Sequence, residues 1–224
     1  MHWTDLIDVQ KWRDRPCIII GGGLSVLTAS RAELTSGNTI GINKSVTSFD
    51  TDLLYIGDRR FYDYVTQDSI QDRERKQLYR QWNEYKGVTI TPQKEGLAAV
   101  GNTVLVPPLY EPRLSASFEE GIYVGNNSGT GAISLACALG ATPIYLYGFD
   151  FYIDIKNRKS NWHEGYIDTV FNAKERQLSE FKQDIEKLAK LISNTFIKVY
   201  NMSVTSTLMC FPKLDRMPDE HRTA

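Results

Sequence analysis

Residues Gly125–Tyr152 read GNNSGTGAISLACALGATPIYLYGFDFY. Small and apolar residues run almost unbroken from Ser128 to Leu139, and Gly140 stands where a left-handed residue closes a helix. The spacing predicts a helix over 128–139, with Ser128 placed to cap it. The run PIYLY, Pro143–Tyr147, follows at once as a buried strand, and the chain leaves it through Gly148, Phe149 and Asp150. A polar glycine-bearing turn, a helix and a strand in that order form one step of an alternating α/β architecture.

The same alternation recurs outward from this block. Cys17–Ile20 predicts a strand, Gly21-Gly22-Gly23 a turn, and Leu24–Leu34 a helix. Thr39–Asn43 and Asp52–Gly57 predict two further strands, and Val88–Thr91 and Thr103–Val106 are short β-type runs. The polar region 62–86 reads as a surface helix whose DRERK segment is a solvated face. Between Pro107 and Gly121 lies a proline-containing loop. Leu178, Phe181, Ile185, Leu188 and Ile192 recur at gaps of three and four and predict an amphipathic helix over 173–192. Phe196–Tyr200 is a last strand. The polar stretch 153–166 is expected to form a lid-like loop, and 213–224 a frayed tail. The expectation is one α/β domain over 1–224, a mostly parallel sheet flanked by helices, with ligands at the carboxyl edge of the strands where strand order reverses.

Of the 224 residues, 42% are hydrophobic and 24% charged, enough for a full core in a soluble protein. The net charge of −1 carries no basic surplus, so no nucleic-acid partner is expected. Cys17, Cys137 and Cys210 make an odd, widely spaced set that reads as small buried hydrophobes rather than a disulfide framework. No CxxC or HExxH pattern suggests structural zinc. The first residues, MHWTDLIDVQKWRDRP, are too charged for a signal peptide, and no apolar run approaches the ~20 residues of a membrane span. A cytoplasmic location is expected, and self-association stays open.

Two turns can carry chemistry. Gly21, Gly22 and Gly23 follow a strand, and glycine lets backbone N–H groups approach an anion at the start of a helix. The spacing is not that of a P-loop, and Val26 breaks the GxGxxG pattern. Tight packing is the competing explanation. The second turn offers the amides of Asn126 and Asn127 before Ser128. Two such turns at one sheet edge point to an anionic ligand. His163 lies in a polar loop between Trp162 and Glu164, whereas His2 and His221 lie in the chain ends. An imidazole titrating near pH ~6.5 suits acid–base work, though a loop histidine can equally be a surface residue. Trp162 either stacks on an acceptor or packs the loop. Arg59 and Arg60 either pair a phosphate or are exposed charge.

The block NNSGTGAISLACALGATPIYLYGFDFY resembles the Ser-Gly–helix–strand–Gly-x-Asp-Phe-Tyr segment of bacterial sialyltransferases of the Campylobacter lipooligosaccharide type. It also resembles the wider domain-of-unknown-function 115 and MptE-like proteins, which include phage-encoded members. IIIGGGLSVL is similar to that group's Gly-x-Gly-Pro-Ser-Leu opening, IGINKS to its strand-ending asparagine, and KVYNMSVTSTLMCFPKL to its closing strand and turn. The resemblance implies a nucleotide-activated donor on a Rossmann-like sheet, with no cofactor or metal required. It places Gly22 and Asn43 near the nucleotide and Ser128 and Gly129 against the donor. Tyr152 and Tyr166 would donate to the leaving phosphate, and His163 would activate an acceptor hydroxyl. The sequence departs from the pattern at three places. Leu24-Ser25 replaces Pro-Ser, no Arg lies between Gly121 and Ser128, and Asp58 replaces an asparagine. An Asp there can bind a ribose hydroxyl or magnesium, or simply cap a turn, as can Asp150. The Asp58 change is similar to the MptE-like side, which implies an alternative: an ATP-dependent hydroxymethylpterin diphosphokinase with Mg2+ on Asp58 and Asp150. A catalytically silent nucleotide-binding module is the third reading.

Overall fold

The computed structural model describes residues 5–67, 72–154, 161–162 and 171–221, with side chains from 176 onward in the last segment. Its centre is a seven-stranded parallel sheet. The strands in chain order are β1 (Cys17–Ile20), β2 (Asn38–Ile42), β3 (Leu53–Tyr55), β4 (Val88–Pro92), β5 (Thr103–Val106), β8 (Ile144–Tyr147) and β9 (Val199–Asn201). Two short strands, β6 (Pro108–Leu109) and β7 (Ile122–Tyr123), pair apart from it, the first inside the stretch expected to be a loop and the second directly after it. The order across the large sheet is β5-β4-β3-β2-β1-β8-β9. The chain therefore steps outward from β1 on one side, then returns to start again on the other. Cys17 pairs with Asn38 on one flank and Ile144 on the other, so strand order reverses between β1 and β8. This is an α/β arrangement of Rossmann-like type.

Alternation along each strand builds two cores. Cys17, Ile19, Leu53, Tyr55, Ile144 and Leu146 face one side, against the helices α4 (Ser128–Ala138) and α5 (Phe171–Ile192). Ile18, Ile20, Tyr145 and Tyr147 face the other. Because both faces are covered, β1 and β8 read as continuous apolar runs. Every residue of α4 from Thr130 to Ala138 is buried, which explains a helix built of glycine, alanine and serine rather than an amphipathic one. Gly140 closes it at φ 77°.

On the second face, β3 and β4 are covered by α2 (Arg59–Thr66) and α3 (Arg73–Glu84), two helices where the sequence suggested one. Among the described residues the rest of that face carries no long helix. The expected helix over 24–34 is a 3-10 turn at Leu24–Thr28 followed by a four-residue helix, α1 (Arg31–Leu34). Ser30 starts α1 with a capping box to Glu33, and this local cap competes with continuation from Leu24. Residues 213–221, expected to fray, help fill the gap. Met217 is 1% exposed among Ile18, Ile20 and Val26, and His221 Nδ1 lies 2.5 Å from Tyr145 Oη. Burial raises the Tyr145 hydroxyl to about 12.

The amino edge of the sheet is tied by Asp52. Its carboxylate accepts from Thr39 N and Oγ1, both at 2.9 Å, and pairs with Lys11 Nζ at 2.6 Å. Partial burial pulls this carboxyl upward, but the bonds from Lys11 and Thr39 outweigh it and hold it below its usual value.

Candidate functional site

The carboxyl ends of β1 and β8 cross in close contact. Gly21 N donates to Tyr147 O (2.8 Å) and Gly23 N to Gly148 O (2.9 Å). A Cβ on Gly21 would lie 2.8 Å from Gly148 O, and one on Gly23 only 2.6 Å from Asp150 Oδ2. Asp150, 2% exposed, accepts from the Ser25 amide at 2.8 Å and from the Ser25 hydroxyl. Two of the three glycines are thus accounted for by the approach of the two turns, and Asp150 by holding the 3-10 turn. The glycine turn also receives Trp162, whose backbone N–H donates to Gly22 O (3.0 Å) and whose indole donates to Gly21 O (2.9 Å). Trp162 meets Phe49 edge-on at 5.4 Å between ring centroids, so its indole packs onto the sheet edge.

A second cluster forms where α4 begins. Asn127, not Ser128, is the N-cap: its Oδ1 accepts from Thr130 N at 2.9 Å, and its Nδ2 reaches Thr130 Oγ1 (2.8 Å) and Phe181 O (3.3 Å). The preceding amide, Asn126 N, donates to Asp184 Oδ2 at 2.8 Å. Asp184 lies buried on α5 and is paired with Lys187 at 2.9 Å, which raises the Lys187 ammonium above its usual value. Helix α5 therefore fixes the loop that aims α4. With Asn127 occupied by capping, Ser128 is released to face the strand ends. Its hydroxyl lies 3.4 Å from Asn43 Nδ2, on the residue that ends β2 in a left-handed conformation (φ 50°). Gly57, after β3, lets Ser128 approach: a Cβ there would stand 2.8 Å from Ser128 Oγ. Gly129 packs against the ring of Phe149.

Asn43, Ser128 and Gly129, singled out in the sequence, are thus brought together with Gly57 at the carboxyl edge. Asp58 is next to them but exposed, and its Oδ1 caps α2 by accepting from Arg60 N at 2.8 Å. Asp58 follows β3 and Asp150 follows β8. Three strand steps separate them, about 14 Å, so no single ion is ligated by both. Among the described residues no group of three His, Cys, Asp or Glu side chains is placed to hold a metal. Tyr152 is part-buried just beyond Asp150. His163 and Tyr166 lie outside the described residues.

Four further groups border the cluster, and of these only Arg59 was marked in the sequence. Lys44, 6% exposed, is paired with Glu74 at 2.7 Å. Arg59 is paired with Asp63 at 3.4 Å and donates to Glu95 O at 2.5 Å, so that arginine stitches two loops together. Lys94, after β4, donates to Gly57 O at 3.3 Å. Tyr55 ends under the first turn of α4: a Cβ on Gly131 would fall 2.1 Å from its oxygen. That hydroxyl is buried with no hydrogen-bond partner among the described residues, and burial raises it well above its usual value.

No protein-family model matches the chain, and no curated protein matches it. Among solved structures, the fold is similar to the MAf glycosyltransferase from Magnetospirillum magneticum AMB-1, with a TM-score of 0.54 at 14% identity over 91% of this chain. The match spans 34% of that longer protein. The alpha-2,3-sialyltransferase from Campylobacter jejuni, in apo form, aligns with a TM-score of 0.48 at 17% identity, over 93% of this chain and 82% of that one. At these identities the likeness is one of fold.

Proposed function

We propose that the chain is a transferase that uses a nucleotide-activated donor, a metal-independent glycosyltransferase of sialyltransferase-like type acting on an acceptor hydroxyl. The observation that carries this reading is the convergence of Asn43, Gly57, Ser128 and Gly129 at the start of α4, on the carboxyl edge of a parallel sheet. Parallel α/β sheets bind nucleotides along that edge. The N–H groups of Ser128 and Gly129, at the first helical positions, have no partner within the helix and suit an anion. The fold likeness to a glycosyltransferase supports the same reading.

In the reaction so proposed, an acceptor hydroxyl attacks the anomeric carbon of the donor sugar while the bond from that carbon to the donor phosphate breaks. His163 takes the hydroxyl proton, and Tyr152 and Tyr166 donate to the departing phosphate. Trp162 is fastened to Gly21 and Gly22 at the carboxyl end of β1. The separation of Asp58 from Asp150 speaks against the diphosphokinase alternative in the form that has both carboxylates on one magnesium ion.

Thermal unfolding against CMP, CDP, CTP, UDP, GDP, AMP and ATP, each with and without magnesium, tests the reading. A ligand at 100 times its Kd adds about 2.7 kcal/mol. The expected result is a magnesium-independent shift with a cytidine nucleotide, followed by loss of transfer from the matching CMP-sugar in His163→Ala. A shift with ATP that requires magnesium, or no shift with any nucleotide, overturns it.

A further inference from the structure

Lys94 differs from Lys44 and Arg59, two other cations at this edge. Lys44 and Arg59 are each matched by a carboxylate. Lys94 is part-buried, forms no ion pair among the described residues, and spends one of its three donors on the neutral carbonyl of Gly57. A sheltered ammonium without a counter-charge favours an anion nearby. Gly57 is also the residue against which Ser128 packs, so the Lys94 ammonium and the Ser128 hydroxyl both stand next to Gly57. The loop leading into α4, residues 121–127, carries no Lys or Arg of its own. The Tyr55 ring also touches Gly57, and its hydroxyl, buried beneath Gly131 of α4, has no partner among the described residues.

We propose that Lys94 is the cationic binding residue for the phosphate of the donor nucleotide, holding it between its own ammonium and the Ser128 hydroxyl at the start of α4. This rests on the donor reading above and adds to it the residue that supplies the charge. The phosphate replaces no existing partner: the Gly57 carbonyl keeps one donor, and the remaining two are turned to phosphate oxygens.

The test compares wild type with Lys94→Gln, which keeps an N–H donor for Gly57 O and removes the charge, and with Lys94→Arg. Titration calorimetry with CMP and with cytidine, or with whichever nucleotide of the panel the wild type binds and the nucleoside it contains, separates phosphate from base and ribose. Lys94→Gln should weaken the nucleotide about ten-fold or more, leave the nucleoside unchanged, and reduce the salt dependence of nucleotide binding. Lys94→Arg should recover most of the loss. Equal weakening of nucleotide and nucleoside would mean that Lys94 only shapes the loop, and unchanged nucleotide affinity would mean that it faces no phosphate; each overturns the proposal while leaving the donor reading standing. A wild-type protein that binds no nucleotide of the panel overturns both.

Discussion

Gly57→Ala is the sharpest probe of how the site is built. The backbone at Gly57 is not in the left-handed region, so alanine carries no conformational penalty there, and only space decides the outcome. The added methyl meets Ser128 Oγ at 2.8 Å, Tyr55 Cε1 at 3.2 Å and Ser128 Cα at 3.3 Å. Tyr55 has no room to yield, because it is fully buried and its hydroxyl end presses on Gly131. The atom that must move is therefore the Ser128 hydroxyl, which rotates about one bond and leaves Asn43. Overpacking of this kind costs about 1–3 kcal/mol, and because one short rotor absorbs the closest contact the lower half applies, about 1–2 kcal/mol. For a domain of this length that is a fall of about 2–8 °C in Tm. Removing the obstructing oxygen with Ser128→Ala should return at least half of the loss, so a double-mutant cycle read by urea unfolding should give a coupling of about 0.5 kcal/mol or more. Additive losses, or a Gly57→Ala protein as stable as wild type, would refute the packing of Ser128 on Gly57 and with it the geometry of the site.

Two further outcomes concern stability. Tyr55→Phe deletes a buried hydroxyl that has no partner among the described residues, so it should be neutral or stabilising by about 1 kcal/mol in urea, where a loss above that would mean the oxygen is bonded. For Asp52→Asn the sign follows from the depressed carboxyl: a folded value below the unfolded one, near ~3.9, contributes stability above that pH and loses it as pH falls through the folded value. The stability gap between wild type and Asp52→Asn, measured at pH 6, should therefore narrow as pH falls below about 4, and a gap that stays constant would contradict the pairing with Lys11 and Thr39.

The parts of the fold legible in the sequence are those that local pattern fixes. Cys17–Ile20 and Ile144–Tyr147 are apolar without a break because both faces are covered, and α4 announces itself by a polar cap, small residues and Gly140. What misled the reading was decided at a distance. Between residues 24 and 34 the Ser30-x-x-Glu33 capping box is a local signal for a restart, but nothing there announces that the Ser25 amide is held by Asp150, 125 positions away. The sequence left anion binding and tight packing both open for the glycine turn, and the close approach of Gly21 and Gly23 to Gly148 and Asp150 is created only by the pairing of β1 with β8. Asn127 and Ser128 are both good caps by composition; Phe181 and Asp184 on α5 settle the choice. Lys94 gives no local signal at all, since its neighbourhood exists only because β4 lies beside β3.

The place of β1 in the sheet has a consequence for the chain as it is made. Strands β1 to β5 are sequential neighbours and can pair as they emerge during synthesis, but the second flank of β1 stays open until β8 has been produced. For all that time the most apolar strand of the molecule presents an unpaired row of backbone donors and acceptors, the arrangement that recruits strands from other chains. A chain halted before residue 144 keeps that exposed edge.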